Sequence, residues 1–429
     1  MTALRPPPPR HLGRPPARRR RRRLAYLLVA PVVLVALVAT SLVGAVATPG
    51  NESFSAKWAD WLRSHHAGAL VNPVENLYYE RQAPAKGGRP KALNPLPGAG
   101  GGGPGPATPS VGAGAGPAGG GAGAGSAGPA GGIQGGGPAD GMASPAPAGL
   151  APPAPVPLVV SPALAGEGRW QPIGPAVGGS AAMYVAQFRA DSVYTSQITS
   201  AVWIDPTRLH VSLVPGASEP GGSWTQPPYI TTEQLPKAVA AFNGGFRSQD
   251  ARGGFYLDGR AQVPLRDGAA SMVIYSDGHV DVGTWGNEVT MTPQVTAVLQ
   301  NLVSIVDGGQ PAPSATYGDS STWGATLGAA VVVARSGVGV TADGGLVYVG
   351  GPALSAFSLA ESLQRAGAVR AMTLDINPEW VTFNLFGHPD PTQPAQVVAT
   401  KLYPQMQRPA TRYLGPAEES RDFFVVSAP

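Results

Sequence analysis

Three short stretches hold residues whose types and spacing suit chemistry on a polar ligand. In the first, residues 369–374 read as a buried strand whose C-terminal end delivers Asp375. Ligands gather beyond such strand ends, where a carboxylate can attack an electrophilic carbon, stabilise its positive charge or activate water. In the second, the apolar run 239–242 ends in Asn243-Gly244-Gly245-Phe246. Paired glycines let the backbone take conformations other residues avoid, which presents the Asn243 amide beside main-chain N–H groups suited to an oxyanion. The third runs Arg335-Ser336-Gly337-Val338-Gly339-Val340-Thr341-Ala342-Asp343-Gly344 and sets an arginine before a hairpin. A guanidinium there can hold two phosphate oxygens at once. The plainer reading of each stretch alone is a strand running into a tight turn.

Other chemistries find no support. The chain has no cysteine, which excludes a thiol nucleophile, a thiolate metal site and a disulfide scaffold. It also lacks a Gly-x-Ser-x-Gly elbow, a His-Glu-x-x-His motif and a Gly-Lys-Ser/Thr phosphate loop. The six histidines are scattered; His388 reads as a satisfied loop residue and His65-His66 as solvated sequence. Asp258, Asp267, Asp277, Asp307 and Asp343 each precede a glycine, and most are expected in hairpin turns rather than in catalysis.

Taken in chain order, with Asn243-Gly244-Gly245-Phe246 first, Gly254-Phe255-Tyr256-Leu257-Asp258-Gly259 after it, then the Arg335 stretch and last the Asp375 stretch, these segments resemble the phosphodiester glycosidase family. The resemblance covers about residues 181–426 and implies a hydrolase of glycosyl phosphodiesters; no residue is singled out as a metal ligand and no cofactor is assigned. It implies Asp375 and Arg335 as the catalytic pair, the first acting at the anomeric carbon and the second holding the phosphate. Asn243, Gly244, Gly245, Asn377 and Trp380 would contact the substrate, with Trp323 or Trp380 available to stack on a sugar. One departure stands beside the carboxylate: where the family usually carries Asp-Gly-Gly, this chain reads Asp375-Ile376-Asn377-Pro378-Glu379-Trp380. A non-catalytic envelope module that binds a glycan or a protein on the same fold is therefore the alternative.

The elements that must position these residues form an α+β domain, a mixed, largely antiparallel sheet structure with few helices. Strands are predicted at 182–188, 198–204, 209–214, 254–257, 271–275, 280–283 and 295–299. One helix is well signalled, with Ser358 and Glu361 as its capping box, Leu359 and Leu363 on one face and Gly367 as its stop.

Composition sets the limits of that domain. The 59 glycines and 47 prolines among 429 residues are concentrated before residue 166, leaving residues 166–429 as the glycosidase-like domain. Residues 83–165 read as a Gly/Pro/Ala-rich disordered linker, too poor in apolar side chains to offset the entropy of ordering. Residues 1–23 hold nine arginines and no acid, so the net charge of +4 becomes negative over the rest of the chain, which argues against a nucleic-acid partner. The uncharged residues 24–47 are long enough to span a bilayer, and arginines before them predict a cytoplasmic N-terminus and an extracellular C-terminal domain. A cleaved signal peptide, with Ala45-Val46-Ala47 as its site, is the rival reading. Residues 48–82 are the juxtamembrane segment.

Overall fold

The computed structural model describes residues 36–44, 46, 58, 85–97, 149–317, 320–324, 331–416 and 420–429. Eighteen strands build three antiparallel sheets within them. The largest joins β1 (Gln171–Val177), β2 (Ser180–Phe188), β3 (Thr199–Ile204), β14 (Leu346–Leu354), β13 (Val333–Thr341), β15 (Ala368–Thr373), β11 (Ser304–Asp307) and β12 (Gln310–Pro311), in that order. A second joins β7 (Arg260–Val263), β6 (Phe255–Leu257), β10 (Val295–Gln300), β8 (Ala270–Tyr275) and β9 (Val280–Thr284). The third runs β17 (Val398–Lys401), β16 (Phe383–Gly387), β5 (Ala238–Asn243), β18 (Phe423–Ser427) and β4 (His210–Val214).

These sheets form layers because the large sheet is apolar on both faces. Val338, Val340, Tyr348 and Met372 point into one core shared with Phe242, Phe383 and Phe424 of the third sheet and Met272 and Leu299 of the second. Trp203, Val347, Val349 and Ala371 point the other way, onto Leu359 and Leu363 of the helix Ala356–Arg365. Gly337 permits that contact, since a Cβ there would stand 3.0 Å from Leu363. Strand alternation thus makes β13 present odd positions to the helix and even positions to the other sheets.

The helix cap differs from the sequence expectation. Ser355 is the N-cap, accepting from the Ser358 N–H, and Ser358 takes the reciprocal role expected of Glu361. A serine three residues on serves because its hydroxyl reaches the same backbone N–H as a glutamate would. Gly367, with φ of 100°, stops the helix as expected. Of the five Asp-Gly pairs, those at Asp258, Asp277, Asp307 and Asp343 stand at hairpin turns, and Asp267 lies in the loop between β7 and β8.

Two parts of the expected linker lie against the domain. Near its start, Gly87 N–H donates to Val193 O at 2.6 Å and the Thr195 hydroxyl to Gly88 O at 2.6 Å. At its end, Leu150 N–H donates to Asp205, and Val156 and Leu164 are buried. Their few apolar side chains insert into the domain, and backbone bonds to an existing strand edge or loop replace the hydrophobic run that composition could not supply. Residues 98–148 lie outside the described residues, as does most of 24–47. Residues 36–44 are helical, the Trp58 indole donates to Ser41 at 2.9 Å, and no helix among the described residues is long and apolar enough to cross a membrane.

Candidate active site

Asp375 stands just past β15, where pairing with β13 continues: Ser336 N–H donates to Asp375 O, and Leu374 N–H to Ser336 O, both at 2.8 Å. One carboxylate oxygen accepts from the Ile376 and Asn377 N–H groups at 2.7 and 2.8 Å. The other accepts from Arg421 Nη1 at 3.1 Å. Burial pushes this carboxyl above its ordinary value, against the pull of Arg421, the two N–H groups and Arg412.

Arg421 is brought there by the C-terminal strand. β18 lies between β5 and β4, with Phe423 opposite Asn243, so the residues preceding β18 meet those following β5. Gly244 N–H donates to Asp422 O at 3.0 Å, and a Cβ at Gly244 would overlap the Asp422 carboxylate. Glycine is therefore required for close approach. Asp422 is 4% exposed and is pushed up to about 7, first by burial and then by Glu219, while Arg421 and the Gly245 N–H oppose the rise. Glu219 itself accepts from the Ser248 N–H and hydroxyl at 3.2 and 2.6 Å.

A tryptophan completes the cluster. The guanidinium carbons of Arg421, Arg412 and Arg408 lie 4.0, 4.3 and 5.2 Å from the Trp380 ring centroid. Arg408 is paired with Glu379 at 2.9 Å. The Asn377 turn builds this corner: its side-chain oxygen accepts from Glu379 N–H and its carbonyl from Trp380 and Val381 N–H.

The structure brings together Asp375, Asn377 and Trp380 from the sequence-predicted set, with Gly244 and Gly245 adjoining through Asp422. Arg335 is not brought to Asp375. Being at an odd position of β13, it faces the helix side, where its Nε donates to Leu354 O at 2.9 Å. Burial without a carboxylate pushes it down to about 10. Asn243 is inward-turned: its amide donates to Gly244 O and the Ser336 hydroxyl, and its oxygen accepts from Thr382 N–H and the Tyr348 hydroxyl. Trp380 is 3% exposed, its face covered by arginine rather than open to a sugar, and the buried Trp323 donates to Ser314 O. His388 bridges Pro394 O and Ala238 O as a satisfied loop histidine. Sequence reasoning passed over Arg421, Asp422, Arg412 and Arg408, which no local pattern marks as partners of Asp375. Among the described residues no group of three or more acidic or histidine side chains could hold a metal.

Residues 236–375 match the model of the phosphodiester glycosidase family. No curated protein matches the chain. Among solved structures, the zebrafish N-acetylglucosamine-1-phosphodiester alpha-N-acetylglucosaminidase catalytic domain, auto-inhibited by its pro-peptide, is 14% identical over 60% of this chain and 88% of that one, with a TM-score of 0.40. A hypothetical protein from Synechocystis is also 14% identical, over 60% of this chain and 64% of its own, with a TM-score of 0.35. From the approach to β5 to the carboxylate beyond β15, the segment that carries Asn243, Arg335 and Asp375 is thus similar in sequence to the phosphodiester glycosidases.

Proposed function

We propose that the domain hydrolyses a glycosyl phosphodiester at the corner where Asp375 meets Arg421. The observation that carries this reading is that buried ion pair, standing where the family segment ends. Breaking the bond between the anomeric carbon and the phosphate oxygen leaves positive charge on the carbon, and the phosphate departs with the bonding electrons. A fixed carboxylate stabilises the first and a cation the second. Water then adds to the anomeric carbon and gives up a proton, for which the acceptor in this scheme is Asp422, next in the chain to Arg421 and pushed up to about 7 by burial and Glu219. The cationic role expected of Arg335 passes to Arg421 and the arginines beside it in this scheme, because Arg421 bonds the carboxylate whereas Arg335 bonds Leu354 O.

The test is release of free sugar from a synthetic N-acetylglucosamine phosphodiester by the full-length chain, followed by mass spectrometry. Release is expected from the native protein and absent in Asp375→Asn. Equal release by that variant overturns the assignment.

The rest of the chain supports a setting. The arginine run, the uncharged residues 24–47 and the Gly/Pro/Ala-rich stretch favour a single-pass anchor with the domain outside the cell, acting on a phosphate-linked glycan of a bacterial envelope. Protection of the N-terminus, and digestion of the domain, by protease added to intact cells is the expected result; release of the whole chain into the medium argues for cleavage instead.

A binding module is the second reading, favoured by the Asp375 carboxylate, both of whose oxygens already have partners, at the point where Ile376 and Asn377 stand in place of two glycines. Saturable glycan binding without product would support it.

A further inference from the structure

Three guanidinium groups around one indole repel one another unless anions are shared among them. Glu379 serves Arg408 and Asp375 serves Arg421. Arg412 has no carboxylate partner among the described residues. It is 8% exposed, and its one side-chain hydrogen bond there is from Nη1 to the Glu379 carbonyl at 3.3 Å.

Unused donors accumulate at the same ring. The Nε–H groups of Arg412 and Arg408 and the Nε1–H of Trp380 are buried and, among the described residues, without a hydrogen-bond partner. Buried polar groups are ordinarily paired, so three orphan donors around one side chain point to a missing acceptor. A phosphate offers acceptors on more sides than a planar carboxylate, and the guanidinium fork matches its oxygens. The corner also opens at one edge: the side chains of Arg408 and Glu379 are 22% and 25% exposed, whereas Trp380 behind them is 3% exposed.

We propose that Arg412, Arg408 and the Trp380 indole N–H form an oxyanion site that takes the phosphate group of the substrate, with Glu379 the carboxylate it displaces from Arg408. This deepens the hydrolase reading and rests on it for which molecule carries the phosphate. The site adjoins the reacting carboxylate, since Arg421, which bonds Asp375, lies over the same Trp380 ring as Arg412. Glu379 is then a stand-in that keeps Arg408 paired while the site is empty of substrate.

The experiment titrates inorganic phosphate into the full-length chain in detergent, read by calorimetry and by Trp fluorescence. Saturable binding is expected, weakened about tenfold or more by Arg412→Met, which removes a charge-assisted donor. Glu379→Gln is expected to strengthen it severalfold, because a competing anion is gone; a purely structural glutamate would not produce that gain. Arg412→Lys retains charge without the fork and should fall between native and Arg412→Met, which keeps the test decisive if the methionine variant fails to fold. Absence of binding in both the native protein and Glu379→Gln overturns the site, as does binding that neither Arg412 variant alters. Phosphate binding without phosphodiester turnover keeps the site and removes the hydrolase reading. Turnover without phosphate binding does the reverse.

Discussion

Arg421 donates to Asp375 at 3.1 Å across 46 positions of sequence, joining the residue after β15 to the residues before β18. Both are buried, so each holds the other's charge in a place where neither would be tolerated alone.

Removing one member therefore acts on stability as well as on chemistry. Arg421→Ala is expected to cost about 3–5 kcal/mol, the range for an uncompensated buried charge. Urea denaturation at neutral pH measures it. A loss below about 1 kcal/mol would mean that solvent already screens the pair.

The titration of Asp422 gives a pH dependence with a defined sign. Its folded value is about 7 against an ordinary 3.8, so the fold favours the protonated form. Its contribution is full below about pH 4 and is lost as pH rises to about 7, at most ~4 kcal/mol in all. Asp375 shifts in the same direction. Asp422→Asn should remove the Asp422 share, so denaturation at pH 4.5 and pH 8 is expected to differ less in the variant than in the native chain. Equal differences would show that Asp422 titrates normally.

Asn243 is expected to build the fold rather than touch substrate. Its oxygen and amide serve Thr382 N–H, the Tyr348 hydroxyl, Ser336 and Gly244 O, beside the stacked Phe242, Phe383 and Phe424. Asn243→Ala would leave several buried groups unpaired and should cost about 3 kcal/mol or more. A variant as stable as the native protein but with raised KM would place Asn243 in the binding site instead.

The neighbouring glycines separate by geometry. Gly244→Ala forces a Cβ into Asp422, both carboxylate and carbonyl, while the same change at Gly245 meets Asn301 at 3.2 Å. Overpacking of the first kind is expected to cost about 3 kcal/mol and the second about 1 kcal/mol or less. Thermal denaturation of the two variants ranks them, and the reverse order would contradict the packing described.

Local pattern made much of this legible. Residues 239–242, 271–275 and 369–373 are strands because apolar runs between turn signals can be little else, and Asp375 could be placed just past a strand end for the same reason. Which side of a strand faces the site is a matter of register and of distant partners. Arg335 and Ser336 are adjacent in sequence, yet one bonds Leu354 O beside the helix and the other Asn243. Sequence alone gave no means to choose between them. Arg421 was illegible for a related reason: its partner lies 46 residues away, and nothing local marks an arginine before a strand as the one that will meet a given carboxylate.

Arg335 supplies the sharpest discrimination between motif and geometry. Its guanidinium is buried on the helix side of β13, bonded to backbone carbonyls, and pushed down to about 10 by burial. Replacing such a charge by an apolar side chain of similar size is often neutral for stability, so Arg335→Met should shift it by no more than about 1–2 kcal/mol. If the site is at Arg421, turnover by Arg335→Met stays within severalfold of native. Loss of the donor at the reacting group, in Arg421→Met, should cost about 100-fold or more in kcat. Steady-state kinetics on both variants decides the matter. The opposite pattern would mean that β13 delivers the catalytic cation after a rearrangement that turns Arg335 toward Asp375.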